Sequence, residues 1–569
     1  MNRKAKAWLL GCSTPLVLLT LIAAALVLLG RGGVPSHSLL VLDLSGPIEE
    51  EVPASPLSRL LGGRPDTVLG LRTLLRAAAA DPRVSALLVR VGGLEVGLAK
   101  ADELREQIHR FQDSGKPAAA FIEFADTLDY YVASACRKVY VPPEGLLILR
   151  GVLADMPFLR GTLDKLRVQP DFVSIGRYKS APEMFTRTDP SPAAREAADS
   201  ILDQAYARLR DGIAESRGLA PERVDALINR SLFRGSSAVG AALADAAIYE
   251  DQVVESLQGA AKAELTRLAH RDYRRQARAD QRGETIAVVF ATGEIVPGQD
   301  GPFSTPPGRM DAEAVVEALR SVRADRRVRA VILRIDSPGG AVPPADRIWR
   351  EMSLTREELP VVVSMSDVAA SGGYWIATPA SRVVAAPVTL TGSIGVFAGK
   401  FNLQGLYQWA GMRREILQRG ENADLFSDYR AFSAAQRQLL QAESEATYRG
   451  FIARVAAGRG LDPAKAESAA QGRVWSGAQA RERGLVDALG GFEQALEEAR
   501  ELAGLAPDAP VRLEFHPREK TLLESLASGE LEVMGRSLRR LATLLDAVAR
   551  RLDGQGGIEV LQEGFRLAP

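Results

Sequence analysis

The 569-residue chain sets 71 Lys and Arg against 71 Asp and Glu, and 46% of its residues are hydrophobic while 6% are aromatic. It is too long for one core and too apolar for disorder, and its zero formal charge gives no electrostatic case for a nucleic-acid partner. Two cysteines and four scattered histidines supply neither a disulfide framework nor metal-ligand spacing, so no metal or other cofactor is expected.

From Trp8 to Leu29 no residue is charged, enough for a helix of roughly 33 Å that can cross a bilayer. Arg3, Lys4 and Lys6 precede this run and only Arg31 follows closely. The positive-inside bias then puts the amino terminus in the cytoplasm and the bulk of the chain outside. No clear small-x-small site follows, which favours a retained single-pass anchor in residues 1–38 over a cleaved signal peptide.

Beyond the anchor the chain alternates short aliphatic runs with amphipathic helical stretches, which predicts stacked α/β layers, and it does so twice. The segment from Asp81 to Val91 matches the one from Asp325 to Ile335, each a helix end followed by a buried parallel-type strand. The register continues through Tyr130 and Tyr374, Ser191 and Ser433, Arg195 and Arg437, Tyr206 and Tyr448, Arg217-Gly218-Leu219 and Arg459-Gly460-Leu461, and Asp245 and Asp487. Chance similarity does not hold a nearly constant offset over so many positions. The expected domains are 39–258 and 285–505, joined by a basic connector at 259–284 that carries Arg267, Arg271, Arg274, Arg275, Arg278 and Arg282 and is expected to be solvated. A tail at 506–569 adds a strand-like piece after Pro510 and an amphipathic stretch from Leu531 to Leu552, expected to be a packing or assembly helix.

The two copies differ where chemistry is concentrated. A strand from Val331 to Ile335 runs into Asp336-Ser337-Pro338-Gly339-Gly340, and paired glycines there let the backbone approach a bound group and present N–H donors to a developing oxyanion. The first copy has Gly92-Gly93-Leu94-Glu95 instead. A second strand, Leu359 to Met365, leads to Ala369-Ala370-Ser371-Gly372-Gly373-Tyr374 and a helical stretch from Trp375 to Thr378. A Ser at such a junction stands at the mouth of the sheet, and the Gly372 N–H after it is a candidate oxyanion donor. A plain helix cap is the alternative reading of Ser371, and the first copy has Thr127-Leu128-Asp129-Tyr130 at those positions.

A serine hydroxyl attacks only when a base removes its proton. None of His37, His109, His270 and His516 lies in or near the Ser371 motif, whereas a lysine with a depressed pKa can serve. Lys179 is the candidate. It sits between a strand from Phe172 to Ile175 and a helix beginning near Ser191-Pro192, and the second copy has Glu421 in its place. In Leu390-Thr391-Gly392-Ser393-Ile394-Gly395 the Ser393 hydroxyl is placed to orient the ammonium, a simple turn being nearly as good a reading.

With these motifs the chain resembles the signal peptide peptidase A family of bacteria, in its long, internally duplicated, membrane-anchored form. The resemblance covers nearly the whole chain. It implies a ClpP/crotonase-like fold in each half and a Ser-Lys dyad divided between the halves. Ser371 would be the nucleophile, Lys179 the general base, Ser393 its hydrogen-bond partner, and Gly340 with Gly372 the oxyanion hole. It also implies a homotetramer on the outer side of the inner membrane, with remnant signal peptides and similar apolar peptides as substrates. Ser366-Asp367, where small glycine-type residues are expected, and Val342-Pro343-Pro344, where helix-friendly ones are, depart from the family pattern. A crotonase-type acyl-CoA enzyme and a noncatalytic membrane scaffold are the rival readings.

Overall fold

The computed structural model describes residues 33–51, 65–276, 282–297, 308–507 and 509–518. The Trp8–Leu29 run and the Leu531–Leu552 stretch lie outside the described residues, among which no helix is long and apolar enough to cross a membrane.

Each repeat folds around its own parallel sheet. In the first lobe the strand order is Thr266–Ala269, Ser38–Pro47, Val84–Glu95, Ala118–Phe121, Lys138–Val141, Ala246–Ala247, all parallel. The main sheet of the second lobe has eight strands, with Val361–Ala370, Val328–Ser337, Glu284–Thr292 and Val511–His516 side by side and parallel. Val361–Ala370 divides its partners, pairing with Arg382–Ala385 along its first half and with Leu390–Gly392 along its last residues. That switch of partner falls just before Ser371. Central strands covered on both faces explain the continuous aliphatic runs: Ile286 to Val289 and Ala330 to Leu333 are fully buried.

The duplication is repeated contact by contact. Tyr130 donates its hydroxyl to the Leu243 carbonyl at 2.7 Å, and Tyr374 to the Leu485 carbonyl at 2.8 Å. Ser191 caps the helix Pro192–Arg217 and Ser433 caps Ala434–Arg459; both helices end on a left-handed glycine, Gly218 or Gly460. Arg217 pairs with Asp245 as Arg459 does with Asp487.

Two boundaries differ from the sequence reading. Residues 259–284 are not a plain connector, because Thr266–Ala269 extends the first sheet and the helix His270–Gln276 packs on it, burying Leu268 and Tyr273. The charges that suggested a solvated run are partly spoken for: Arg267 pairs with Glu250, and Arg274 with Asp66. The second lobe also continues past residue 505, since Val511–His516 pairs with Glu284–Thr292. Val342, Pro343 and Pro344 form the first turn of the helix Val342–Glu358, where a missing N–H costs nothing.

The lobes are joined by strand pairing and by buried charge. Gln169–Ile175 of the first lobe runs antiparallel to Val396–Asn402 of the second, with Ile175 opposite Val396. Arg334, wholly buried on its strand, binds Glu50 through Nε at 2.8 Å and Nη2 at 3.0 Å, and Glu103 through Nη1 at 2.8 Å, both carboxylates coming from the first lobe. Ser364 and Ser366 complete the guanidinium's partners at 2.9 and 3.1 Å. Replacing Arg334 with Met strands two buried carboxylates, so unfolding in urea should move to lower denaturant by the equivalent of about 3–5 kcal/mol; an unchanged midpoint would show that this network does not join the lobes.

Candidate active site

The strands Val328–Ser337 and Val361–Ala370 deliver the two glycine motifs to one place. Gly339 has φ +105° and its α-carbon lies so near the Ser371 turn that an added Cβ would stand 2.6 Å from the Gly372 nitrogen and 2.8 Å from the Ser371 Cβ. At Gly340 the same addition would strike the Ile295 carbonyl oxygen at 2.2 Å. Ile295 clasps the loop by donating its N–H to the Gly339 carbonyl at 2.8 Å and accepting the Ala341 N–H at 3.0 Å. A Cβ on Gly372 would stand 3.1 Å from the Gly340 nitrogen, so the Gly340 and Gly372 N–H groups lie close together. Among the described residues neither donates to a protein acceptor, which leaves both free for an oxyanion.

Ser371 holds φ +54° and ψ −117°, backbone that a non-glycine residue adopts at a cost of about 1–3 kcal/mol. Surrounding bonds impose it: its N–H donates to the Gly392 carbonyl at 2.9 Å and its carbonyl accepts the Trp375 N–H at 2.9 Å. Its side chain makes no cap for the helix Gly372–Ala377, so the cap reading fails. The hydroxyl is instead in contact with Lys179.

Lys179 arrives from the other lobe. The strand Gln169–Ile175 carries it across, Asp171 on that strand is held by Arg437 and by the Phe432 N–H at 2.8 Å, and the Tyr178 N–H donates to the Gln471 carbonyl at 2.7 Å. Gly472, at φ +75°, admits the lysine backbone: a Cβ there would stand 2.5 Å from the Lys179 nitrogen. The ammonium nitrogen lies 3.1 Å from Ser371 Oγ, 3.0 Å from Ser393 Oγ and 2.9 Å from the Ser393 carbonyl. Ser393 is pinned at φ +50° by its N–H bond to the Arg473 carbonyl. Burial without an adjacent carboxylate pushes the Lys179 pKa down to about 8.

A cleft of about 60 Å³ opens beside these groups, lined by Lys179, Gly340, Ser371 and Gly372 and by apolar Val342, Ala345, Trp375, Val396 and Phe451. The five residues singled out in the sequence thus meet at one site. Ile295, Gln471 and Gly472 were not visible there, since none belongs to a motif; Ile295 and Gly472 act through their backbone, and Gln471 through its carbonyl and through its side-chain Oε1, which accepts the Arg177 N–H at 3.2 Å. Among the described residues no group of His, Cys, Asp and Glu could hold a metal ion.

Comparison with known proteins identifies the family. The model of peptidase family S49 matches the chain twice, at residues 110–264 and 353–506. The chain belongs to peptidase family S49. It is 34% identical over 492 residues to the chloroplastic serine protease SPPA of Arabidopsis thaliana, covering 84% of this chain and 72% of that one. It is 32% identical over 520 residues to Protease 4 of Salmonella typhi, covering 86% and 82%. The solved 1510-N membrane-bound stomatin-specific protease is 14% identical and covers 42% of this chain and 99% of its own, with a TM-score of 0.26, too low to bear on the fold. The protein is a serine peptidase, and the acyl-CoA and scaffold readings fall.

Holding an ammonium in this cleft also costs stability. Below about pH 8 the native state must desolvate a charge that the unfolded chain leaves in water; between pH 8 and 10.5 the native lysine is neutral and the penalty shrinks as the unfolded one loses its proton. Lys179→Met should therefore unfold later at pH 6, by about 1–3 kcal/mol, with the gain fading toward pH 10.5. A variant less stable than the parent at pH 6 would contradict this.

Proposed function

We propose that the protein is a membrane-tethered serine endopeptidase with a Ser-Lys dyad shared between its lobes, each lobe having the ClpP/crotonase-like fold. The observation that carries this reading is the 3.1 Å approach of the Lys179 nitrogen to Ser371 Oγ across the interlobe boundary. Neutral Lys179 takes the hydroxyl proton as Oγ attacks the peptide carbonyl, and the Gly340 and Gly372 N–H groups hold the oxyanion. The lysine then returns the proton to the leaving amine as the C–N bond breaks, leaving an acyl-serine. In the second half Lys179 takes a proton from water, whose oxygen attacks the ester, and gives it to Ser371 Oγ as the acid leaves. Ser393 aims the lysine lone pair at Ser371 by occupying its other donors.

The substrate class follows from the cleft and the anchor together. Small apolar side chains suit a pocket bounded by Val342, Ala345, Trp375, Val396 and Phe451. The uncharged Trp8–Leu29 run would hold the lobes at the outer face of a bacterial inner membrane, where cleaved signal peptides and other apolar peptides partition. A homotetramer is the assembly the family resemblance implies.

Ser371→Ala and Lys179→Ala should each lower hydrolysis of an apolar peptide by about a thousandfold or more while the protein stays folded; full turnover in either variant would sink the dyad. In the parent enzyme kcat/KM should fall about tenfold per pH unit below a midpoint near 8, because protonated Lys179 cannot accept the serine proton. A rate flat from pH 6 to 9 would exclude this base.

A further inference from the structure

Asp367 departs from the family pattern four residues before the nucleophile, and its partners lie in the other lobe. Its Oδ2 accepts the Gly97 N–H at 3.0 Å, and its Oδ1 accepts the N–H groups of Ala99 and Lys100 at 3.0 and 3.1 Å. These are the unpaired donors at the start of the helix Leu98–Asp113, whose own cap residue, Gly97, has no side chain to supply. A Cβ on Gly97 would stand 2.2 Å from the Asp367 carboxyl carbon, so the glycine is what admits the cap.

The side chain of Lys100 on that helix reaches back into the second lobe. Its nitrogen lies 2.7 Å from Asp336 Oδ2, 3.7 Å from Asp367 Oδ2 and 3.8 Å from Glu50 Oε1. Asp336 is the next-to-last residue of the strand that leads into the Pro338-Gly339-Gly340 loop, and Asp367 lies on the strand that leads into Ser371. Here the two strands fall out of step: Ile335 faces Met365, but Ser337 faces Ala369, so residues 366–368 bulge opposite Asp336. Asp336 Oδ1 accepts the Val368 N–H at 3.1 Å within the bulge. Lys100 thus bridges two carboxylates, one on each arm of the oxyanion site, at the point where the bulge interrupts the ladder between those arms.

The first copy lacks the whole arrangement. By the register that matches Tyr130 to Tyr374, Gly92 replaces Asp336, Glu123 replaces Asp367 and Pro344 stands for Lys100. The clamp exists only where there is a nucleophile to position.

We propose that Lys100 is a positioning residue, an interlobe clamp that sets the spacing of the Gly340 and Gly372 donors around Ser371. The proposal rests on the dyad reading. Lys100 touches neither Ser371 nor Lys179, so its loss should weaken oxyanion stabilisation while leaving the base and the peptide cleft in place.

The test compares the full-length parent with Lys100→Met and Lys100→Arg on an apolar peptide substrate and on a peptide boronate, which binds as a tetrahedral adduct. Lys100→Met is expected to lose about tenfold or more in kcat, with KM within about twofold. Boronate affinity should fall by a similar factor, the acidic limb of the pH profile should stay in place, and Lys100→Arg should restore most of the loss. Parent-like kcat in Lys100→Met overturns the clamp. So does a loss carried by KM alone, a shifted acidic limb, or a folded Lys100→Arg that rescues nothing. Should Lys100→Met fail to fold, Asp336→Asn is held to the same split, and its parent-like kcat overturns the proposal. Full turnover by Ser371→Ala would instead sink the dyad, so the two failures are distinguishable.

Discussion

In the proposed mechanism everything chemical depends on one buried lysine that has no carboxylate to answer its charge. Lys179 sits against two serines and a carbonyl, and only desolvation acts on its charge, so its proton is held loosely enough to be given up near neutral pH. An aspartate beside it would hold the proton and end its use as a base. The surroundings of Lys100 make the contrast clear, because carboxylates gather round that lysine and raise its pKa. One lysine is kept charged to hold structure, and the other is driven toward neutrality.

The division of the site between lobes explains much of the remaining architecture. A lysine delivered from a different lobe must be placed to a few tenths of an ångström, and the molecule spends several kinds of contact on that. The antiparallel pairing of Gln169–Ile175 with Val396–Asn402 fixes register. Phe172, Phe185 and Phe401 pack across that pair with ring centroids 5.1 to 6.1 Å apart. Elsewhere the Arg334, Glu50 and Glu103 group and the Arg72–Glu493 pair join the lobes again. Buried ion pairs of this kind add little net stability against apolar substitutes but penalise any wrong register heavily, which suits an interface that, in the proposed mechanism, has to place a proton acceptor.

The sequence revealed the parts of the site that are local. Ser371 and the glycine pairs were legible because a strand running into Gly-rich backbone has few other uses, and Lys179 because the matching position in the other repeat is Glu421. Ser191 marked the start of its helix through ordinary capping chemistry. What remained hidden depends on distant residues meeting. Ile295 acts through backbone groups, which carry no side-chain signature, Gln471 meets the lysine loop only across the lobe boundary, and Asp367 read as an anomaly until the helix it caps came from another lobe. The arginine-rich connector was misjudged for a related reason: its buried residues, among them Leu265, Leu268, His270 and Tyr273, are few beside its charges, so composition outweighed the short strand that completes the first sheet.

The most direct measurement is the titration of Lys179 itself, followed by NMR with carbon-13 at the lysine ε position and assigned by its loss in Lys179→Met. The account predicts a midpoint near pH 8 in the folded enzyme. A Lys179 that keeps its proton to pH 10 or beyond, like a solvated lysine, would contradict it, because the group beside Ser371 would then be a permanent cation and not a base.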